Sequence, residues 1–189
     1  MQIWAGLGNP GASYALHRHN VGFMVADTIA AIHNFGPWQK KFHSLISEGR
    51  IGPHRVLLLK PQTYMNDSGD AVQQALRFYR LDISALTAIH DELDLAPMKV
   101  KVRTGGGLAG HNGLRSIDAV LGPDFRRLRI GIGHPGDKDR VTGHVLGNYA
   151  KSEMEPLSDL LAAIASEAES LAAGDDVRFM NDVALRLQP

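Results

Sequence analysis

"GLGNPGASYALHRHN" runs from Gly6 to Asn20, directly after the apolar residues Ile3, Trp4 and Ala5. Its first six letters satisfy G-x-G-x-x-G, the pattern that opens a helix against a pyrophosphate in dinucleotide-binding domains. That reading needs the helix to start inside the glycine run, so that its free N–H groups face the anion. Pro10 removes one of those groups and pushes Asn9 away from helical geometry. Helical periodicity begins only near Asn20, with Val21, Met24, Val25, Thr28, Ile29 and Ile32. Asp27, at the ribose-binding spacing, falls mid-helix and not after a second strand. The stretch therefore reads as a strand, a tight loop presenting Asn9, and a turn presenting His19 and Asn20. An amide beside an imidazole that titrates near neutrality can hold and activate water.

The same alternation continues along the chain. "RVLLLKP" is a strand stopped by Pro61, and "NDSGDAVQQALRFYR" is a helix with Ala71, Val72, Ala75, Leu76 and Tyr79 on one face. "LTAIHDEL" is a strand, "MKVKVR" a half-exposed strand of period two, "HNGLRSIDAVLG" a helix and "RRLRIGIG" a strand. The tail from Ser152 places Met154, Leu157, Leu161, Ile164 and Leu171 on one stripe. Strands alternating with helices predict a single α/β domain over residues 1–189, with a mixed, largely parallel twisted sheet flanked by helices. Residues 151–187 form its C-terminal helical segment. "GIGHPG" at Gly131–Gly136 echoes the first loop, so both leave the sheet at strand ends, where α/β sites form.

Charge narrows the partner. The chain balances 20 Lys/Arg against 20 Asp/Glu, but residues 1–150 carry 17 against 12 and residues 151–189 carry 3 against 8. The basic residues are densest between Lys99 and Arg140. A basic face on a neutral protein fits a polyanion met at one surface, and a solvated charged face is the plainer alternative. There is no cysteine, which removes disulfides and thiolate chemistry. No apolar run reaches the roughly 20 residues of a membrane span, and "MQIWAGLG" lacks the basic flank of a signal peptide. A cytoplasmic chain without membrane contact is expected.

Three further stretches set a polar residue beside a strand end: "KPQTYMNDSG" presents Asn66, "IHDELDL" presents Asp91, and "GGGLAGHNG" presents Asn112 at a helix start. With no cysteine and no G-x-S-x-G elbow, a covalent nucleophile has no candidate. A histidine acting on water, oriented by a carboxylate, is the economical alternative, with amides binding substrate or a developing oxyanion. His90, Asp91, Glu92 and Asp94 form a weak metal pattern, because strand alternation points the first two to opposite faces. Neither a metal nor a cofactor is expected. The glycines at 105–107 read as a flexible turn, or as an anion site or hinge.

Six ordered motifs, "GLGNPG", "YALHRHN", "KPQTYMN", "HDELDL", "GGGLAGHNGLRSI" and "RLRIGIGHPGDK", make the sequence resemble bacterial-type peptidyl-tRNA hydrolases over residues 6–138. The resemblance implies cleavage of the ester between a peptide and tRNA, without a cofactor, by a cytoplasmic monomer. Carried over, His19 is the general base, Asp91 orients it, and Asn9 places the water or stabilises the carbonyl. Asn66 and Asn112 bind the peptide main chain, Met65 lines the groove, and Tyr14 stands near the site. Lys101, Arg103 and Arg129 contact tRNA phosphates. His17 replaces a usual threonine, and Leu108 and Ala109 interrupt a glycine-rich gate expected to face Asp94. Residues 137–149 suit a lid hinged at Gly143 and Gly147, or an ordinary connection. Two rivals remain at this level. One is a non-catalytic RNA-binding protein on the same fold, and the other is a nucleotide-dependent enzyme using the glycine loops.

Overall fold

The apolar run at the N-terminus becomes the central strand. In the computed structural model, which covers residues 1–189, β1 (Gln2–Gly6) pairs in parallel with β4 (His54–Pro61) and with β5 (Leu86–Glu92). β5 pairs in parallel with β7 (Arg126–Gly131). The margins are antiparallel: β2 (Gln39–Lys41) on β3 (Ser44–Ile51), β3 on β4, and β6 (Val100–Thr104) on β7. The resulting order is β2-β3-β4-β1-β5-β7-β6, a mixed sheet whose four central strands run parallel. Seven helices complete the chain: α1 (Val21–Ile32), α2 (Ser68–Phe78), α3 (Asn112–Leu121), α4 (Val141–Val145), α5 (Met154–Ser166), α6 (Ala168–Ala172) and α7 (Asp176–Arg186).

Strand alternation divides the apolar side chains between two cores. Trp4, Val56, Leu58, Ile89, Leu128 and Ile130 face α1 and the C-terminal helices. Ile3, Ala5, Leu57, Leu59, Leu86 and Ala88 face α2 and α3. The tail packs on the first core, one position round from the stripe expected from sequence. Leu157, Leu160 and Ile164 are buried, whereas Met154 is 38% exposed and Leu161 lies at the flank. Small residues explain the rotation: Ala163, Ala165 and Ala168 are buried, so the face richest in alanine makes the close approach. The β2–β3 hairpin has no counterpart in the sequence pattern, because its turn residues Phe42 and His43 carry none of the usual Asn-Gly signal.

One contact fixes where α1 begins. Gly22, in its first turn, lies against the Leu7 backbone and the Ile89 carbonyl, and Gly6 lies in turn against the Gly22 carbonyl. A Cβ on Gly22 would collide with all of these backbone atoms, none of which can rotate away. Gly22→Ala should therefore cost about 3 kcal/mol or more, the upper range for overpacking. Urea unfolding will show this as a lower midpoint, and a midpoint within experimental scatter of wild type would disprove the close approach.

Candidate active site

The loops after β1, β4 and β5 meet at the C-terminal edge of the sheet, and the turn before α1 drops onto them. Asn20 closes the assembly. Its Oδ1 accepts from the Asn9 N–H at 2.9 Å, and its Nδ2 donates to the Asn9 carbonyl at 2.9 Å. Both amide atoms are thus spent on the Asn9 backbone, so Asn20 acts as a clamp. The Asn9 side chain is fixed as well, since its Oδ1 accepts from the Met65 N–H at 2.9 Å. Its Nδ2, with no protein partner, is left as a donor toward the cleft.

Asp91, at the end of β5, is buried between two imidazoles. His19 Nδ1 donates to its carboxylate, 3.0 and 2.9 Å from the two oxygens, and His111 Nε2 donates at 2.9 Å. Burial alone would raise the Asp91 carboxyl, but His111 and His19 outweigh it and hold the group well below the usual carboxylate range. His111 caps α3, its Nδ1 accepting from the Gly113 and Leu114 N–H groups at 3.0 and 3.3 Å. An acceptor Nδ1 fixes its tautomer, leaving Nε2–H for Asp91. Sequence reasoning passes over His111 in favour of its neighbour Asn112, although a residue before "NGL" at a helix start is a cap position. The His19 and His111 rings lie 4.7 Å apart. Nε2 of His19 has no protein partner and remains open.

His19, Asp91 and His111 bring one ligand atom each within 4.8 Å, a trio different from the residues weighed as a metal pattern in the sequence. Its hydrogen bonds account for the cluster: a cation there would compete with the helix cap held by His111 and with both Asp91 bonds. The His90 ring lies edge-on to His111, with centroids 5.1 Å apart, and its Nδ1 donates to the Asp91 carbonyl at 2.8 Å. Burial, reinforced by His111, lowers its pKa to about 3, so it stays neutral.

A cleft of about 750 Å³ takes in Asn9, His19, Tyr64, Met65, Asn66 and Asn112 among its lining. Met65 is buried, while Asn66 and Asn112 are exposed with side chains free of protein partners. A smaller cavity of about 200 Å³ also reaches His19 and is roofed by Val141, Thr142, Val145 and Leu146. Leu93 stands there with Ala109 and Gly110, whereas Asp94, the expected partner of that stretch, does not line it. Tyr14 borders neither cavity, its ring meeting His17 edge-on at 5.3 Å. The segment around α4 is pinned to the turn before α1. Arg18 N–H donates to Gly147 O at 3.0 Å, Tyr149 N–H to Leu16 O at 3.0 Å, and the Arg18 guanidinium bridges His144 O and Glu153.

Lys101, Arg103 and Arg129 stand apart from this cleft, on β6 and β7. Lys101 pairs across the ladder with Arg129, and Arg103 with Arg127. Arg129 Nε donates to buried Glu92 at 3.0 Å. Arg127 is fully buried and donates to the carbonyls of Gly106, Gly107 and Pro123. The glycine run thus turns carbonyl oxygens toward a cation, which corrects its reading as an anion site.

The model of the peptidyl-tRNA hydrolase family matches residues 3–188. A peptidyl-tRNA hydrolase of Novosphingobium aromaticivorans is 70% identical over 188 residues, covering all of this chain and 98% of that protein. One from Sphingopyxis alaskensis is 69% identical, with both chains covered in full. The crystal structure of peptidyl-tRNA hydrolase from Acinetobacter baumannii superposes with a TM-score of 0.90 at 42% identity, over 97% of this chain and 94% of that one.

The buried histidine leaves a signature in stability. Unfolded, His90 titrates near its ordinary value of about 6.5, whereas folded it stays neutral down to about 3. The unfolded chain thus binds the extra proton, and stability falls as pH drops through this window by up to about 1.4 kcal/mol per unit. Between pH 6.5 and 4.5, wild type should lose about 2 kcal/mol more than His90→Asn. Urea midpoints at the two pH values measure this, and parallel losses in the two proteins would refute it.

Proposed function

The chain belongs to the peptidyl-tRNA hydrolase family, and we propose that His19 is the base that activates water for its reaction. Its activity is hydrolysis of the ester linking peptide to tRNA. His19 Nε2 takes a proton from water while the water oxygen bonds to the ester carbonyl carbon. The carbon–oxygen bond to the ribose then breaks, and the proton passes from His19 to the departing ribose oxygen. The products are free tRNA and a peptide carboxylic acid, which releases its proton to solvent as the carboxylate. One observation carries this reading: Nδ1 of His19 is committed to Asp91 while Nε2 is open. Asp91 fixes the ring and stabilises the imidazolium that forms.

Asn9 donates Nδ2–H to the oxygen that gains charge, a role its fixed amide supports. Asn66 and Asn112 hold the peptide main chain above Met65. An unacylated aminoacyl-tRNA lacks the amide they bind and leaves polar groups unpaired. Lys101, Arg103 and Arg129 receive tRNA phosphates. Like charges facing each other across a ladder are unfavourable alone, and a polyanion relieves them. Residues 137–149 close over the cleft as a lid. On this reading the protein works as a monomer in the cytoplasm, where its tRNA substrate is found; no helix is long and apolar enough to cross a membrane.

In single-turnover hydrolysis of an N-acyl-aminoacyl-tRNA, His19→Ala should lose about 10²–10⁴-fold and Asn9→Ala about 10²–10³-fold, with tRNA binding retained. A wild-type protein that binds tRNA but cleaves nothing would return the assignment to RNA binding without catalysis.

Alanine at Lys101, Arg103 or Arg129 should weaken tRNA binding and reduce its salt dependence, by about 0.7–0.9 in log–log slope for each phosphate no longer neutralised. Shortening the 137–149 segment should raise KM more than it lowers kcat. An unchanged salt slope removes the phosphate role, and an unchanged KM removes the lid.

A further inference from the structure

The end of the sheet opposite β6 carries a second cavity, of about 540 Å³, lined by Lys40, Lys41, His43, Ser44, Leu45 and Gln62. No acidic side chain borders it. Two acids on neighbouring elements are spent elsewhere, Glu48 on Arg55 and Asp27 on Lys60. The Lys41 ammonium lies 3.7 Å from the centroid of the exposed Phe78 ring and 5.1 Å from that of Phe42.

The hairpin beside it is held in a costly shape. Phe42 and His43, between paired Lys41 and Ser44, have φ of 54° and 49°, a region disfavoured for both side chains. Packing keeps them there. Phe42 sits 5.2 Å from Phe78 and 6.0 Å from Tyr79, and the His43 carbonyl accepts from the Gln62 N–H at 2.8 Å. Strain sustained in this way is found where a shape serves a ligand.

The loop after β4 joins this cavity to the catalytic cleft. Gln62 lines the first, and Tyr64, Met65 and Asn66 line the second. The sheet order puts Lys101, Arg103 and Arg129 at one end, His19 and Asp91 near the middle, and Lys40 and Lys41 at the other. An ester held with its tRNA toward β7 and β6 sends its peptide over β4 toward β2. From β1 to β2 is three strand spacings, about 14 Å, which an extended peptide crosses in about four residues.

We propose that this cavity is a subsite for an acidic side chain of the substrate's peptide, about four residues before the ester, whose carboxylate is received by Lys40 and Lys41. The assignment rests on the reading that the peptide leaves the cleft over Asn66.

The test uses one tRNA charged with N-acetyl-pentapeptides bearing Glu, Gln or Lys at the fourth residue from the ester, beside an N-acetyl-aminoacyl-tRNA. Wild type should favour Glu over Gln in kcat/KM by about two- to five-fold at low salt, the range of a solvent-facing ion pair, with Lys lowest. Lys40→Gln/Lys41→Gln should abolish this order without changing cleavage of the short substrate. Lys40→Glu, which leaves Lys41 on Phe78, should reverse it. Equal rates for Glu and Gln in wild type would overturn the subsite. A loss in Lys40→Glu as large on the short substrate as on the long ones would assign the lysines to RNA phosphate instead. If wild type cleaved none of these, the His19 reading would fail, and affinities for the Glu and Gln substrates would still decide the subsite.

Discussion

The contact between Gly6 and Gly22 governs the geometry of the cleft. Two glycines let the first turn of α1 rest directly on the ends of β1 and β5, with backbone against backbone. The turn Arg18–Asn20 comes just before that contact, so its two functional side chains have little freedom in where they arrive. His19 is delivered to Asp91, and Asn20 to the Asn9 backbone. A helix standing off by one methyl group would leave both hydrogen bonds stretched. The chemistry is therefore set by how closely a helix approaches a sheet, and this precedes any property of the catalytic groups themselves.

A common economy runs through the site. Each polar group is tied down on one side and left open on the other. Asn9 spends its oxygen on Met65 and keeps its NH₂, and His19 spends Nδ1 on Asp91 and keeps Nε2. Groups fixed in this way lose little further freedom when substrate arrives, which is the main cost of assembling a reactive geometry. His111 and His90 do the quieter work. One caps α3 and donates to Asp91, and the other ties its ring to the Asp91 carbonyl from beneath.

The sequence is most legible where local patterning and tertiary structure agree. Period-two strands, the α1 stripe and the rejection of a nucleotide loop by Pro10 all rest on local rules, and the parallel centre of the sheet follows from strand–helix alternation. Asn9, Asn66 and Asp91 stand out because each lies at or just after a strand end, and His19 and Asn112 because each lies at the start of a helix. What escapes depends on partners distant in the chain. Asn20 shows no role until Asn9 is seen against it, and His111 looks like one of nine histidines until Asp91 appears behind it. The β2–β3 hairpin is hidden for a different reason. Its turn violates the local preference for glycine or asparagine and is enforced by Phe78 and Tyr79, which lie more than thirty residues away in the sequence.

The bonds between the segment after β7 and the residues before His19 have a consequence for the imidazole. Leu16 and Arg18 are held by Tyr149 and Gly147 through backbone hydrogen bonds, so the segment beside the cleft also steadies the turn bearing His19. Any displacement of that segment would break the bonds that hold the turn. Cover over the cleft and a settled imidazole are thus one structural state of the chain.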